Sequence, residues 1–312
     1  MEICGWQVES ALPLPELPAV RGPLSPQPDL VVDFGAVPDR LPDPVFDGPI
    51  LQVAQDGTCR IGIARGPAFL VDPSGSQVTI ATDLPPESPV IRAFLLGNVF
   101  AIICLRRGVV PVHACCIRVP SANGDVAIAF AASSGSGKST LASAFVRRGY
   151  HVLADDLTAL SQRPDGEVWA LPSFPRVRLW PDTMERFQYP VAACERVREG
   201  MEKYAVPLTE GFGRTPLRLA AVYHFSRVED ERHAGLRPLQ GLHATARFMQ
   251  AVYQHRILAR AAAHDRPAHI SRATRMAGGI PQHWSLAQPS GLGRLDGLID
   301  RLVGLHGARA PG

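Results

Sequence analysis

The residues best suited to chemistry are Ser134-Gly135-Ser136-Gly137-Lys138-Ser139-Thr140, preceded by Ala132-Ser133. The backbone N–H groups of a glycine-rich loop and the N-terminus of the helix that follows it converge on an anion. Lys138 adds a point charge where the β- and γ-phosphates of a nucleotide would lie, and the Ser139 hydroxyl is a ligand for Mg²⁺. Gly135 and Gly137 let the backbone turn with no Cβ in the way. Ala132 is a departure, since glycine is usual there. The spacing implies a phosphate loop (a Walker A, or P-loop, motif) that binds ATP with Mg²⁺.

Acid–base groups lie nearby. Asp155-Asp156 ends an apolar run, His151-Val152-Leu153-Ala154, one helix beyond the loop. If that run is a parallel neighbour of the strand feeding the loop, both aspartates reach the edge where ligands bind. One carboxylate could then serve Mg²⁺ while the other takes a proton from an incoming hydroxyl. Successive strand residues point to opposite faces, so both can face the site only if the strand has already broken into a loop. His113 is placed by a hairpin with Asn123-Gly124 at its turn. A turn centred between Ala122 and Asn123 sets residue 113 opposite residue 132, at the loop's mouth. Arg176, Arg178 and Lys203 are candidate phosphate contacts, the two arginines sharing one face of a short strand-like run, Pro175–Trp180.

The elements that must hold these residues follow from patterning. Ten of the 29 prolines fall in the first 50 residues, which excludes helix there. Short strands are predicted at 29–34, 50–55, 58–64, 68–72 and 77–82, so residues 1–86 read as a small β-rich domain. The pattern turns helical over 88–107, then extended over 109–119 and 125–131. Val126–Ala131 is continuously apolar, as a strand buried on both faces should be. Lys138–Arg148 reads as a helix stopped by Gly149. Strands are further expected at 157–161, 168–171 and 219–225, with helices near Leu242–Ala263 and Gly291–Leu305. Residues 87–312 thus read as an α/β P-loop domain.

Composition sets the outer bounds. Residues 1–100 carry 5 Lys/Arg against 12 Asp/Glu, and the remainder carries 27 against 17. A basic C-terminal portion suits a polyanion such as ATP, or an acidic peptide. No basic run is interleaved with aromatics, which argues against nucleic acid. The six cysteines form no C-x-x-C pair and read as reduced core residues of a cytoplasmic protein. The start lacks the features of a signal peptide, and Ala93–Leu105 is too short to span a bilayer, so no membrane partner is expected. Asp33-Phe34-Gly35, Gly291-Leu292-Gly293 and the late histidines resemble known motifs but lack the surroundings those motifs need.

His113, the hairpin, the glycine-rich loop and Asp155-Asp156, in this order and spacing, resemble the catalytic domain of the HPr kinase/phosphorylase family. The likeness is good over about residues 105–160. It implies transfer of the ATP γ-phosphoryl group to a serine on a protein or peptide, with Asp155 as general base, Asp156 assisting Mg²⁺ and His113 lining the site. The second glycine-rich signature of bifunctional members is absent, Glu210-Gly211-Phe212-Gly213 being a faint counterpart. The N-terminal part also differs from the family's regulatory domain. The chain looks more like divergent members found beside peptide-modification genes, among them kinases for the C-terminal serine of lasso-peptide precursors. A P-loop ATPase, a nucleotide-binding module without chemistry and a small-molecule kinase remain open. The sequence leaves the oligomeric state open, a homo-oligomer included.

Overall fold

A computed structural model of the chain describes residues 1–191, 194–196, 202–208, 210–253, 260, 263, 266–289 and 294–307. It is a mixed α/β protein. The strands expected in the N-terminal part form, with three short additions, one eight-stranded sheet. They are β1 Glu2–Ile3, β2 Trp6–Ser10, β3 Leu30–Phe34, β4 Phe46–Asp47, β5 Leu51–Val53, β6 Cys59–Gly62, β7 Ala68–Val71 and β8 Gln77–Ala81, in the order β1-β2-β3-β8-β7-β6-β5-β4. Alternation of buried and open positions along β7 and β8 gives the sheet one apolar face.

A helical run from Pro89 to Arg106 covers that face. It is α-helical at both ends and π-helical over Leu95–Val99. By length and composition this run could cross a membrane. Here Leu95, Leu96, Phe100 and Ile103 instead pack against Ile3, Val8, Leu30 and Val32 of the sheet. One apolar cluster runs without a break from Phe69 and Ile80 through Ile102 to Ala129 and Leu153.

The second sheet holds the loop. Its strands are β9 Val110–Val112, β10 Ala114–Val119, β11 Val126–Ala131, β12 His151–Ala154, β13 Thr158–Gln162 and β14 Val168–Leu171. A three-stranded sheet follows from β15 Arg176–Leu179, β16 Glu195–Arg196 and β17 Tyr204–Pro207. Then β18 Leu217–Val228, β19 Gly235–Leu239 and β20 Gln282–Pro289 rejoin the larger sheet. Along β11 the alanines 127, 129 and 131 face the helical run, while Val126, Ile128 and Phe130 face the other way. Phe130 stacks on Tyr223 of β18 at 5.2 Å and packs against Phe145 of the helix Lys138–Arg147. The strand's side chains are buried on both faces, and the loop leaves from its end.

Two expectations need correction. The extended stretch 109–119 is two strands, broken at His113. The strand before Asp155 is also not the neighbour of β11: β10 lies between them, antiparallel to both. Two reversals make β12 and β11 point the same way, so their C-terminal ends still share one edge. The hairpin register holds as expected, with Ala114 opposite Ala131. The helix expected at 242–263 instead ends at Ala251, because Val252 leaves the helical conformation to bridge Val112; 254–259 and 261–262 fall outside the described residues. The helix expected at 291–305 is described over Leu295–Gly304, and 291–293 fall outside.

Candidate functional site

The chain leaves β11 at Ala131 and enters the helix at Lys138, with Gly135 and Gly137 at φ +79° and +98° between. Both angles lie in the left-handed region that glycine enters without steric cost. Ser133, Ser134 and Gly135 are exposed, but Lys138 is buried. Its ammonium is folded back over the loop and uses all three donors: to Ala132 O at 2.8 Å, Ser133 O at 3.0 Å and His113 Nε2 at 3.0 Å. Since Nε2 accepts, the ring proton of His113 sits on Nδ1 and is donated to the carbonyl of Asp156 at 3.0 Å. Burial, and next the Lys138 charge, lower the pKa of His113, which fits a neutral ring. Burial lowers that of Lys138 as well.

The two aspartates have different surroundings. Asp155 is 3% exposed. Its Oδ1 accepts from the Ser139 hydroxyl at 3.0 Å, and its Oδ2 from the Arg178 backbone N–H at 2.9 Å. Asp156 follows the end of β12 with φ +70°, a left-handed conformation that a non-glycine residue adopts at some cost. That turn brings the second carboxylate back to the side of the first. Asp156 Oδ2 accepts from Arg178 Nη1 at 2.8 Å, and Oδ1 lies 3.5 Å from His113 Nδ1. Burial, with the neighbouring Asp156 charge second, raises the pKa of Asp155. Burial alone would raise that of Asp156 too, but the Arg178 guanidinium, with Lys203 and Lys138 behind it, outweighs it and holds the carboxyl below its usual range.

Two clefts meet along the loop. The smaller, about 100 Å³, is walled by Arg178, Trp180, Asp182, Thr183 and Lys203. Thr140, beyond Ser139, is joined there to Thr183 by a 3.1 Å hydroxyl contact. The larger, about 950 Å³, is walled by His113, His224, Arg247, Gln250 and Tyr253. Ser134, Gly135, Asp156 and Arg227 line both. A third cleft, about 680 Å³, lies at the seam with the N-terminal sheet around Glu16, Arg176 and Phe212, and includes no loop residue.

Of the expected site residues, His113, Lys138, Ser139, Asp155, Asp156 and Arg178 come together, with Lys203 on the wall of the smaller cleft. Arg176 does not join them: its guanidinium pairs with Glu16 at 3.1 Å, away from the loop. Sequence reasoning missed Arg227 and Arg247. Arg227 Nε donates to Ser136 O at 2.9 Å, on top of the loop. Only the parallel pairing of β18 with β11 could have revealed it, through Ala131 opposite His224. Among the described residues no three His, Cys, Asp or Glu side chains converge as a metal cage. A cation here would share its ligands with a phosphate, as Mg²⁺ commonly does.

Fold and site together define a mixed α/β protein in which a glycine-rich turn, four basic side chains and two carboxylates meet at the edge of a sheet. No family model matches the sequence, and no curated protein matches it. Among solved structures, the Hpr(Ser) kinase/phosphatase from Coxiella burnetii aligns over 63% of this chain and 89% of that chain, at 15% identity and a TM-score of 0.33. The likeness is distant, and the chemistry has to be read from the site itself.

Proposed function

We propose that the chain is an ATP- and Mg²⁺-dependent kinase of HPr-kinase type that phosphorylates a serine hydroxyl on a peptide or protein. The carrying observation is the placement of Asp156 beside Lys138 at the seam of two clefts. In-line transfer needs the leaving oxygen on one side of the phosphorus and the attacking oxygen on the other. The smaller cleft, beside Thr140 and the half-open indole of Trp180, has room for the phosphate end of the nucleotide. The 950 Å³ cleft has room for a serine-bearing segment of peptide.

The residue roles differ in one respect from those the family resemblance implies. Asp155 is sealed against Ser139 and has no path to an incoming hydroxyl, so it is assigned to the metal side. Ser139 Oγ and an Asp155 oxygen are the all-oxygen donors a hard cation takes. Mg²⁺ bound there would neutralise charge between the β- and γ-oxygens. Asp156 is assigned as the base: it is partly open, lines the acceptor cleft, and stays ionised to accept the serine proton. His113 holds Asp156 through the peptide carbonyl and accepts from Lys138, which keeps both in register. The loop amides would hold the phosphates, joined by Lys138 once its ammonium exchanges its bonds to the Ala132 and Ser133 carbonyls for phosphate oxygens.

A second reading is a P-loop ATPase, favoured by the burial of Asp155 if that residue were the base. The deciding experiment is transfer of γ-labelled phosphate from Mg·ATP to peptides with an internal or a C-terminal serine. The C-terminal serine tests the narrower likeness to lasso-peptide kinases. Asp156→Asn is expected to keep nucleotide binding and lose transfer by at least about 100-fold. Asp155→Asn is expected to weaken Mg·ATP binding. Free phosphate with no labelled peptide would favour the ATPase, and an Asp156→Asn enzyme with full transfer would reject this assignment of the base.

A further inference from the structure

Arg227 is three residues beyond His224, the partner of Ala131 in the β11–β18 pairing, so β18 carries it past the start of the loop. It is exposed, yet it is fixed: Nε is tied to Ser136 O at 2.9 Å. Gly137 makes room for it. A Cβ on Gly137 would come within 2.8 Å of Arg227 Nη2, so the guanidinium fills the space that a side chain there would take. Among the described residues no carboxylate lies within ion-pair distance of Arg227, although other arginines of the site region are paired. With Lys138, Arg178 and Lys203 it lines the smaller cleft opposite Asp156 and Asp182, and even with the buried Asp155 counted the four cations outnumber the carboxylates.

We infer that Arg227 is a catalytic residue whose free Nη groups bind the phosphoryl group as it passes from nucleotide to acceptor. The inference rests on the kinase reading above. Nε is committed to the loop backbone, and Arg227 lines both clefts, where its remaining N–H donors can meet phosphate oxygens. In the step itself the bond from the γ-phosphorus to the ADP oxygen breaks and a bond to the serine Oγ forms. The serine proton passes to Asp156. Negative charge spreads over the equatorial phosphoryl oxygens meanwhile, and a donor fixed beforehand is most effective there.

The test separates ground state from transfer state by calorimetry of the full-length chain. Wild type should bind Mg·ADP and bind it more tightly when aluminium fluoride is added to mimic the phosphoryl group in flight. Arg227→Gln should bind Mg·ADP within about threefold of wild type, lose the gain from aluminium fluoride, and transfer label about 100- to 1,000-fold more slowly. Arg227→Lys, which keeps the charge without the fork, should recover a minor part of both. An Arg227→Gln protein that keeps the aluminium fluoride gain would overturn the assignment, as would one that loses Mg·ADP binding in step with turnover. A wild type that binds no Mg·ADP would overturn the phosphate-loop reading itself, and this proposal with it.

Discussion

Glu16→Ala is expected to destabilise the whole chain, although Glu16 lies in the proline-rich start far from the loop. One oxygen of Glu16 accepts from Arg92 Nε at 3.0 Å and from Arg176 Nη1 at 3.1 Å, with all three side chains at most 10% exposed. Arg92 has other partners: both oxygens of Glu195 at 2.7 and 2.8 Å, and the Glu87 carbonyl. Arg176 has no second carboxylate among the described residues. Burial, and next the repulsion from Arg178, already push its pKa down to about 10. Removing Glu16 therefore strands a buried cation, which costs about 3–5 kcal/mol. Against a total of about 5–15 kcal/mol, that is a large share. At about 2 °C per kcal/mol the midpoint should fall by about 6–10 °C. Differential scanning calorimetry and urea unfolding would both read it. The double variant Glu16→Met with Arg176→Met removes charge from both partners and should recover most of the loss. A Glu16→Ala protein within about 1 kcal/mol of wild type would refute the reasoning, since the buried guanidinium would then have found another route to solvation.

Acid should destabilise the fold early. Burial, with His283 and Arg247 adding to it, pushes the His224 imidazole down to about 3, against about 6.5 in an unfolded chain. Between those values the unfolded chain binds a proton that the folded one does not. The stabilisation is therefore complete above about pH 6.5 and declines as pH falls, by about 1.4 kcal/mol per unit for this group. Urea midpoints at pH 7.5, 6 and 5 would show the slope, which His224→Gln should reduce; an unchanged slope would mean other groups carry it. The cysteines give a second check. Cys4, Cys59, Cys104, Cys115 and Cys116 are buried, and burial raises the pKa of each thiol. A thiol-specific dye should label only Cys194 quickly in the native protein and all six after unfolding, whereas fast native labelling of several would contradict this packing.

Much of the local geometry was legible in the sequence because it is set by short-range rules. An Asn-Gly turn fixed the register that puts His113 beside the loop, and a continuous apolar run marked β11. The relative orientation of Asp155 and Asp156 was not legible. Strand alternation says they point apart, and only the left-handed φ of Asp156 turns the second carboxylate back. Partners distant in sequence were equally hidden. Arg227 reaches the loop through a parallel pairing 91 residues away, and Glu16 meets Arg176 across 160 residues. Neither leaves a periodic signal. Arg176 and Arg178 look equivalent as alternate residues of one strand, yet the seam with the N-terminal sheet takes the first and the aspartates take the second.

The unbroken apolar cluster that links the N-terminal sheet to β11 bears on how the chain is made. A ribosome delivers the eight strands first, and their apolar face, with Phe69, Val71, Val78 and Ile80, emerges before anything that covers it. The helical run Pro89–Arg106 follows about one to a few seconds later at usual synthesis rates. Until then the nascent sheet is an adhesive surface, and the run itself is an apolar segment with no place to go. Each is the other's cover, so neither apolar surface is closed until Arg106 has been made. Slow codons placed shortly after Arg106 would give that pairing time before the loop and its helix arrive.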